Sequence, residues 1–381
     1  MILGGAQENT LLTCEVLARR GHDVTLITGP ATGPEGELFD QARGGGYRIE
    51  TVPHMIRAIH PYHDVLAYRH VKRLLRQIQP DIVHTHSAKA GILGRLAAYS
   101  LKNVWAPGRP AVVHTLHGLA FHPYQSQWLN RFYIAVERAA TRRTDFFISV
   151  ADAMTAQSLA AGIGRAEQYT TAYSAMDEAA FMTPIPQSQR DAFRDKYSIP
   201  HDSVVLVTIA RLFMLKGHDY IIESARTLAP RHPNALWLFV GDGNLSDVYK
   251  QQVKTLGLAD RFRFTGLLPT TAIPLAVQSS DILVHCSLRE GLARALPQAM
   301  LAARPAISFD VDGAREVVND NTGRLIPPKD TGRLIAACSE LIADESLRTR
   351  LGRQAQAAVK TQFSPDTMVD AIEKVCHSLL A

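Results

Sequence analysis

The sequence predicts an α/β protein built from two doubly wound domains in tandem. First, its 381 residues exceed what one ordinary hydrophobic core organises, so two domains are expected. Second, short apolar runs of strand length alternate with patterns of helical period in both halves of the chain. Third, the alternation lapses once, at residues 182–202, where three prolines fall and an interdomain connection is expected.

Each half carries its own series of strands. Six strand-like runs occupy the first half, at residues 23–29, 47–53, 81–87, 111–118, 145–151 and 168–174. Five more follow in the second half, at residues 204–210, 236–242, 261–267, 281–287 and 305–311. Such alternation predicts parallel sheets with helices on both faces. We therefore expect domains at 1–182 and 183–365, followed by an amphipathic helical segment at 366–381.

The N-terminus departs from this pattern. Gly4 and Gly5 enter a helix whose C-terminus is marked by Gly21. A glycine pair at the start of a helix usually follows a strand, and only three residues precede it here. We expect that the first strand of the N-terminal domain is missing; an irregular N-terminus is the alternative.

Composition argues against several classes of protein. The net charge of +5 is mild, which disfavours a nucleic-acid partner. Four cysteines without a C-x-x-C pair predict reduced thiols instead of a disulfide scaffold. No apolar run reaches the roughly 18 residues of a membrane span, and no signal-peptide pattern is present. We expect a cytoplasmic protein.

Two cations lie where an anion would bind in such a fold. Arg211 directly follows a predicted strand, and Lys216 lies at the start of the next predicted helix. Ligands of open α/β sheets bind at the carboxyl ends of strands, and helix N-termini favour anions. The pattern predicts a diphosphate site; two solvated surface charges are the alternative.

Two further strand-to-helix turns could face the same ligand. In "VGDGNLS", Gly241 and Gly243 would let the backbone approach a ligand, although the third glycine of a dinucleotide fingerprint is absent. In "SLREGLARALPQAM", Glu290 offers a carboxylate, and Gly291 and Leu292 offer backbone N–H groups. Gln298 follows in the first helical turn. Plain turns before core helices are the alternatives.

Histidines concentrate in the first half of the chain. His84, His86, His114 and His117 lie near the ends of two predicted strands, and His117, before Gly118, is the best placed to face a ligand. Core or hydrogen-bonding roles and a zinc site are the alternatives, but no acidic pattern supports the histidine spacing as a zinc site. The Asp-x-Asp spacing at residues 310–312 is that of some metal-binding pairs, but here it ends a predicted strand of the doubly wound series.

Residues 54–80 form a basic segment. They contain five Lys and Arg residues, four histidines, two tyrosines and one acid, Asp64. A solvated helix face is one interpretation. The functional interpretation is a surface that binds anionic lipid, as a peripheral membrane contact, or an anionic acceptor.

The order of these motifs resembles the retaining family-4 glycosyltransferases of the GT-B fold. The second half carries "RLFMLKG", "GDG", "FTG", "EG", "DGAREVV" and "NTGRLIPP"; the first carries "GGAQENT", "RRGHDVTLITG", "PDIVHTHS", "HTLHG", "VERAATRRTDFFISV" and "YSAMD". The resemblance covers essentially the whole chain. It implies two Rossmann-like domains facing across a cleft, with the final helix packing back on the first domain.

The resemblance also implies residue roles. Arg211 and Lys216 would hold the diphosphate of a nucleotide-sugar and stabilise the leaving group. Glu290 would bind hydroxyls of the transferred sugar, with Gly291 and Leu292 adding backbone contacts. Gly5 would close over the phosphates, and His117 would lie near the reacting sugar. No metal and no cofactor are expected.

Two departures from the family pattern stand out. The second glutamate of the family, which takes the ribose hydroxyls, is Gln298 here, so weaker or altered nucleotide binding is expected. Ala175 replaces a glycine before Met176, a change we expect to be structural.

These features together predict a metal-independent retaining glycosyltransferase. It would move a hexose from a nucleotide-sugar to a glycan or lipid-linked acceptor of envelope or exopolysaccharide synthesis. A nucleotide-sugar epimerase of the same fold and a non-catalytic nucleotide-sugar-binding protein are the rival hypotheses.

Overall fold

The computed structural model describes residues 5–30, 39–56, 58–101 and 110–381. Within it, the chain forms two compact units. The first comprises Met1–Met176 together with Ser364–Ala381, and the second comprises Asp177–Phe363. No helix in the described ranges is long and apolar enough to cross a membrane.

The first unit alternates helices and strands as the sequence predicts. Its elements before residue 176 are α1 (Gly5–Arg19), β1 (Thr25–Thr28), α2 (Phe39–Gly44), β2 (Arg48–Thr51), α3 (Pro61–Ile78), β3 (Ile82–His86), α4 (Ala88–Tyr99), β4 (Ala111–Leu116), α5 (Gln127–Thr141), β5 (Phe146–Ser149), α6 (Asp152–Ala160) and β6 (Tyr169–Thr171).

All the described strand pairs of this unit are parallel, but they form two sheets. β1 pairs with β2, and a separate sheet has the order β3-β4-β5-β6. No strand precedes α1 among the described residues; the prediction of a missing first strand concerns residues 1–4, which lie outside them. Gly21, at φ +92°, ends α1 as expected, with the His22 N–H bonded to Leu17 and the Gly21 N–H bonded to Ala18.

The second unit contains one six-stranded parallel sheet. Its elements are α7 (Glu178–Met182), α8 (Gln187–Lys196), β7 (Val204–Ile209), α9 (His218–Leu228), β8 (Ala235–Val240), α10 (Ser246–Thr255), β9 (Phe262–Gly266), α11 (Ile273–Gln278), β10 (Ile282–His285), α12 (Ala295–Leu301), β11 (Ala306–Phe309), β12 (Gly323–Ile326), α13 (Thr331–Ala343) and α14 (Glu345–Val359).

The strand order of this sheet is β12-β11-β10-β7-β8-β9. From β7 the chain first runs to β8 and β9 and then returns to the other side at β10. The order therefore reverses between β7 and β10, and this switch point is where open α/β sheets bind ligands, at the carboxyl ends of the strands. Trp237 and Phe239 on β8 are fully buried in the core beneath it.

Residues 182–202, which the sequence predicts to be an interdomain connection, also contain a helix. α8 forms within them and packs in the second unit through the buried Phe193. Pro186 is the N-cap of α8 and Pro200 lies beyond its end, so these prolines flank the helix instead of breaking it.

The last helix, α15 (Pro365–Leu380), belongs to the first unit. Its buried residues Met368 and Val369 join a cluster with Val16 of α1 and Val113 of β4. On the rim of this contact, Arg20 forms ion pairs with three acids of α15: Asp366 at 3.0 Å, Asp370 at 2.7 Å, and Glu373.

Candidate functional site

The loops after β7 and β10 meet at the switch point of the second sheet. There Nζ of Lys216 donates to Oε1 of Glu290 at 2.6 Å. The two side chains are largely enclosed, with 24% and 19% of their surfaces exposed. The structure thus joins two of the residues that the sequence assigned to one ligand.

Backbone contacts fix the two loops against each other. The N–H of Leu288 donates to the carbonyl of Leu215 at 2.8 Å, and Oγ of Ser287 donates to the same carbonyl at 3.2 Å. Gly217 has φ +75°, and a Cβ there would lie 1.9 Å from the carbonyl oxygen of Cys286. Only glycine allows this approach, which sets Lys216 beside Glu290.

The backbone around Glu290 is held from the other side by the turn after β11. The N–H of Glu290 donates to Oδ2 of Asp312 at 2.7 Å, and the N–H of Gly313 donates to the carbonyl of Gly291 at 2.9 Å. Asp312 takes a left-handed conformation, φ +47°. Leu292, which follows Gly291, is 8% exposed, so its side chain packs inward.

The Asp-x-Asp pair is divided between two structural roles. Asp312 holds Glu290, whereas Oδ1 of Asp310 accepts from Nε of Arg315 at 2.9 Å. Within the described residues, no three His, Cys, Asp or Glu side chains are placed to hold a metal ion together.

A histidine that the sequence did not single out completes the group. Nε2 of His285, the last residue of β10, lies 3.4 Å from Oε1 of Glu290. The residue is only 3% exposed, and neither ring nitrogen has a hydrogen bond of good geometry within the described structure. Burial of such a group is costly, which points to a role at the site.

The charge state of Glu290 follows from these neighbours. Burial by itself raises the pKa of the Glu290 carboxyl, but the Lys216 ammonium and the adjacent His285 outweigh it. Together they hold the pKa of Glu290 well below its usual range. Glu290 is therefore a carboxylate at neutral pH, suited to accept hydrogen bonds.

Arg211 lies on the same loop as Lys216 and is exposed. Its guanidinium carbon lies 4.8 Å from the centre of the Phe213 ring, a cation–π distance.

Gly241 and Gly243 serve the packing of the chain on itself. A Cβ on Gly241 would lie 2.1 Å from the carbonyl oxygen of Ala210, and a Cβ on Gly243 would lie 2.4 Å from that of Leu212. These two glycines therefore let the loop after β8 close against the loop that carries Arg211.

Gln298 lies on α12 and is half-buried. Its N–H donates to the carbonyl of Arg294 at 3.1 Å, the bond that closes the first turn of the helix. Gln298 therefore lies in the first turn of the helix, as the sequence predicts.

The histidines of the first unit form a cluster at the carboxyl ends of β3 and β4. Nδ1 of His86 lies 2.9 Å from Nε2 of His117, and Nε2 of His84 lies 2.7 Å from Oγ1 of Thr115. Burial lowers the pKa of His84 to about 4 and lowers that of His86 well below its usual value. Both rings are neutral at pH 7. Gly5, also in this unit, is exposed and opens α1.

Two family models match consecutive parts of the chain. The model described as "Glycosyl transferase 4-like domain" matches residues 4–173, and the one described as "Glycosyl transferases group 1" matches residues 189–358. The chain belongs to the group 1 glycosyltransferases.

Relatives of this glycosyltransferase span nearly its full length. The UDP-Gal:alpha-D-GlcNAc-diphosphoundecaprenol alpha-1,3-galactosyltransferase of Escherichia coli is 27% identical over 98% of this chain and 93% of that protein. The N-acetyl-alpha-D-glucosaminyl L-malate synthase of Bacillus anthracis is 24% identical over 96% of this chain and 91% of its own.

Solved structures share the fold of this glycosyltransferase. HepE of Anabaena, in complex with UDP-glucose, has a TM-score of 0.81 at 22% identity, covering 99% of this chain and 96% of that one. The lipopolysaccharide-biosynthesis glycosyltransferase WaaG has a TM-score of 0.74 at 19% identity, covering 100% and 97%. The predicted GT-B fold is confirmed.

His285 was not predicted from the sequence of this glycosyltransferase, but one sequence feature could have indicated it. His285 is a titratable residue inside the otherwise apolar strand "ILVH" and stands at its carboxyl end. A polar side chain at that position of a buried parallel strand faces the ligand edge of the sheet.

Proposed function

We propose that this protein is a metal-independent, retaining hexosyltransferase. It would move a sugar from a nucleoside-diphosphate donor to a glycan or lipid-linked acceptor in envelope or exopolysaccharide synthesis, in the cytoplasm and at the membrane surface. The observation that carries the proposal is the Lys216–Glu290 pair at the switch point of the second sheet, with Nζ and Oε1 2.6 Å apart.

The chemistry of the pair suits an activated sugar. A carboxylate held ionised accepts hydrogen bonds from sugar hydroxyls, and an ammonium beside it attracts phosphate. Lys216 lies two residues before the first residue of α9, an eleven-residue helix whose dipole adds positive potential near its N-terminus. Arg211 adds a second cation on the same loop. In this proposal Gly291 and Leu292 contribute backbone N–H groups, and Gln298 accepts from a ribose hydroxyl.

Uridine is the first base to test. HepE was solved with UDP-glucose, and the E. coli relative is named for UDP-galactose. Both observations that favour uridine come from proteins similar to this one.

The proposed transfer needs no protein nucleophile. The bond from the anomeric carbon to the diphosphate oxygen breaks, and the acceptor hydroxyl forms the new bond on the same face of the sugar. Its proton passes to a phosphate oxygen of the leaving group. Lys216 and Arg211 stabilise the negative charge that gathers there, which lowers the barrier through preorganised electrostatics.

The first unit would serve the acceptor. His117 is held by His86 at the carboxyl ends of its strands, and Gly5 offers a backbone N–H at the start of α1. One relative is named for GlcNAc-diphosphoundecaprenol and another for the synthesis of a glucosaminyl L-malate, so we test both a lipid-linked and a small hydroxylated acceptor.

Calorimetry tests the donor site directly. UDP, GDP, ADP and dTDP are titrated, in the presence of EDTA, into the wild type, an Arg211→Ala/Lys216→Ala variant and a control, Arg231→Ala/Lys254→Ala, with two exposed cations of the same unit. We expect one nucleotide to bind wild type and control alike. The site variant should lose about 100-fold or more in affinity, since two charge-assisted contacts disappear. Equal binding by all three proteins would reject the site.

Product analysis then separates the rival functions. Incubation of the matching nucleotide-sugar with an undecaprenyl-diphosphate-linked sugar or a small hydroxylated acceptor should yield an α-glycoside from an α-linked donor. A β-glycoside would reject retention, an epimerised donor would indicate an epimerase, and nucleotide binding without any product would favour a binding protein.

A further inference from the structure

Three neighbouring helices cover one face of the larger sheet in the first unit. α3 and α4 pack on β3 and β4 through a shared core that includes Leu75, Leu93, Val83 and Val112. α4 also contacts α5, so it lies between α3 and α5. The guanidinium of Arg143, just after α5, lies 5.4 Å from the centre of the Tyr99 ring of α4, which makes the outer surface continuous. We call the outward side of α3, α4 and α5, with the residues flanking them, the basic face.

Large apolar side chains stand out from the basic face into solvent. Ile59 and Tyr62 are 72% and 66% exposed at the start of α3. Trp128 and Phe132 are 71% and 53% exposed, one turn apart on α5. They stand at the N-terminal ends of their helices, near the carboxyl ends of the strands. Val65, Leu96 and Tyr99 are also exposed on this face.

The same face carries cations that no acid neutralises. Eight Lys and Arg side chains on or just after α3 and α5 form no ion pair with any described residue: Arg69, Lys72, Arg73, Arg76, Arg131, Arg138, Arg142 and Arg143. The two acids of these helices are already engaged, Asp64 with Lys89 and Glu137 with the fully buried Arg95. α4 contains no acid. The basic face therefore has a strong positive potential.

We propose that the basic face docks on an anionic lipid bilayer. Trp128, Phe132, Tyr62 and Ile59 would enter the headgroup region, and the arginines of α3 and α5 would bind lipid phosphates. Exposed aromatic and aliphatic residues beside unpaired cations match the two components of interfacial membrane binding, apolar burial and attraction to anionic lipid. A nucleic acid would use the cations but leave Ile59 and Val65 in water. The docking rests on the membrane-surface location in the proposed function, but vesicle binding is measured without donor or acceptor, so its failure would leave the donor-site test unaffected.

Vesicle sedimentation measures the docking. The full chain is mixed with vesicles of phosphatidylcholine alone or of phosphatidylcholine and phosphatidylglycerol, at low and at high salt. We expect binding to the anionic vesicles, weakened by salt, because each cation near such a surface contributes about fivefold at low salt. Bromine-labelled lipid should also quench tryptophan fluorescence, and the quenching should disappear in Trp128→Phe.

Two variants and their matched controls test the face itself. Arg69→Glu/Arg73→Glu/Arg76→Glu should weaken vesicle binding by at least about tenfold. The control Arg231→Glu/Lys254→Glu/Arg350→Glu reverses three exposed cations of the second unit and should keep most of the affinity. Trp128→Ser/Phe132→Ser should also lose binding, whereas Val248→Ser/Leu267→Ser, at exposed apolar positions of the second unit, should not. Circular dichroism melts show that each variant is folded.

Three results would contradict docking of the basic face on an anionic bilayer. Equal binding to neutral and anionic vesicles, or equal losses in the face variants and their controls, would overturn the proposal. So would a lipid-independent oligomer that only Trp128→Ser/Phe132→Ser dissociates, because the apolar residues would then serve contact between copies of the chain.

Discussion

Lys216 and Glu290 form an ion pair, with Nζ and Oε1 2.6 Å apart, between loops that are 74 residues apart in sequence. The pair spans the one point where the strand order of the second sheet reverses. Each side chain neutralises the other in a setting that excludes most water, which is why Glu290 stays ionised despite its burial.

Removal of Lys216 should therefore destabilise the second unit through Glu290. In Lys216→Met the carboxylate keeps its burial and loses its partner, so we expect a loss of about 2 kcal/mol in the free energy of unfolding at pH 7. Adding Glu290→Gln to this variant should restore part of the loss. Urea unfolding at pH 7 measures both; equal losses in the single and double variants would show that the pair is not coupled.

The same pair predicts a pH dependence. The folded-state pKa of Glu290 is lowered, so its stabilising contribution is complete above the unfolded value of about 4.3 and is lost as pH falls towards the folded value. The stability difference between wild type and Glu290→Gln should be constant from pH 7 to about 5 and shrink below about 4. A difference that grows on acidification would contradict this charge assignment.

His285→Leu should separate stability from sugar binding. The substitution removes two buried ring nitrogens that lack hydrogen bonds, but it also removes a neighbour that favours the ionised form of Glu290. These effects oppose each other, so unfolding stability should change by less than about 1 kcal/mol. Glu290 loses a neighbour, so affinity for the nucleotide-sugar should fall several-fold while affinity for the nucleotide alone is kept. Calorimetry with both ligands is the measurement. A parallel loss for both ligands would indicate general damage to the site.

Gln298→Glu should strengthen nucleotide binding. An ionised acceptor makes hydrogen bonds roughly twice as strong as a neutral amide, so we expect about a threefold to tenfold gain for the nucleoside diphosphate. The 2′-deoxynucleotide serves as the control and should gain less. If affinity and selectivity are unchanged, Gln298 does not contact the ribose.

A second buried ion pair should contribute to the folding stability of the first unit. Nη2 of Arg95 lies 2.9 Å from Oε2 of Glu137, and the Arg95 side chain is fully buried. Arg95→Met leaves an unpaired carboxylate and should cost about 3–5 kcal/mol, whereas Arg95→Met/Glu137→Leu should cost much less. Chemical unfolding, with hydrogen exchange followed in α4 and α5, measures these losses. If the loss in the double variant equals the sum of the losses in the two single variants, the two residues are not coupled.

Most elements were predictable because their signals are local. All eleven predicted strands formed, since runs of buried apolar residues between helical patterns leave little alternative. β12 was missed because "GRLI" is four residues long and stands beside two prolines. α8 was missed because the prolines around it resembled a linker, although they flank the helix.

The sequence by itself determined the alternating α/β pattern, the order of the family motifs and the chemical types of the site residues, because periodicity and motif spacing are properties of neighbouring residues. Only the tertiary structure decided which loops meet. Strand order depends on burial across the whole sheet. It placed Lys216 against Glu290, set the Asp312 carboxylate against the backbone N–H of Glu290, and put His285 beside the Glu290 carboxylate. The basic face likewise exists only because α3, α4 and α5 pack side by side with their acids already paired.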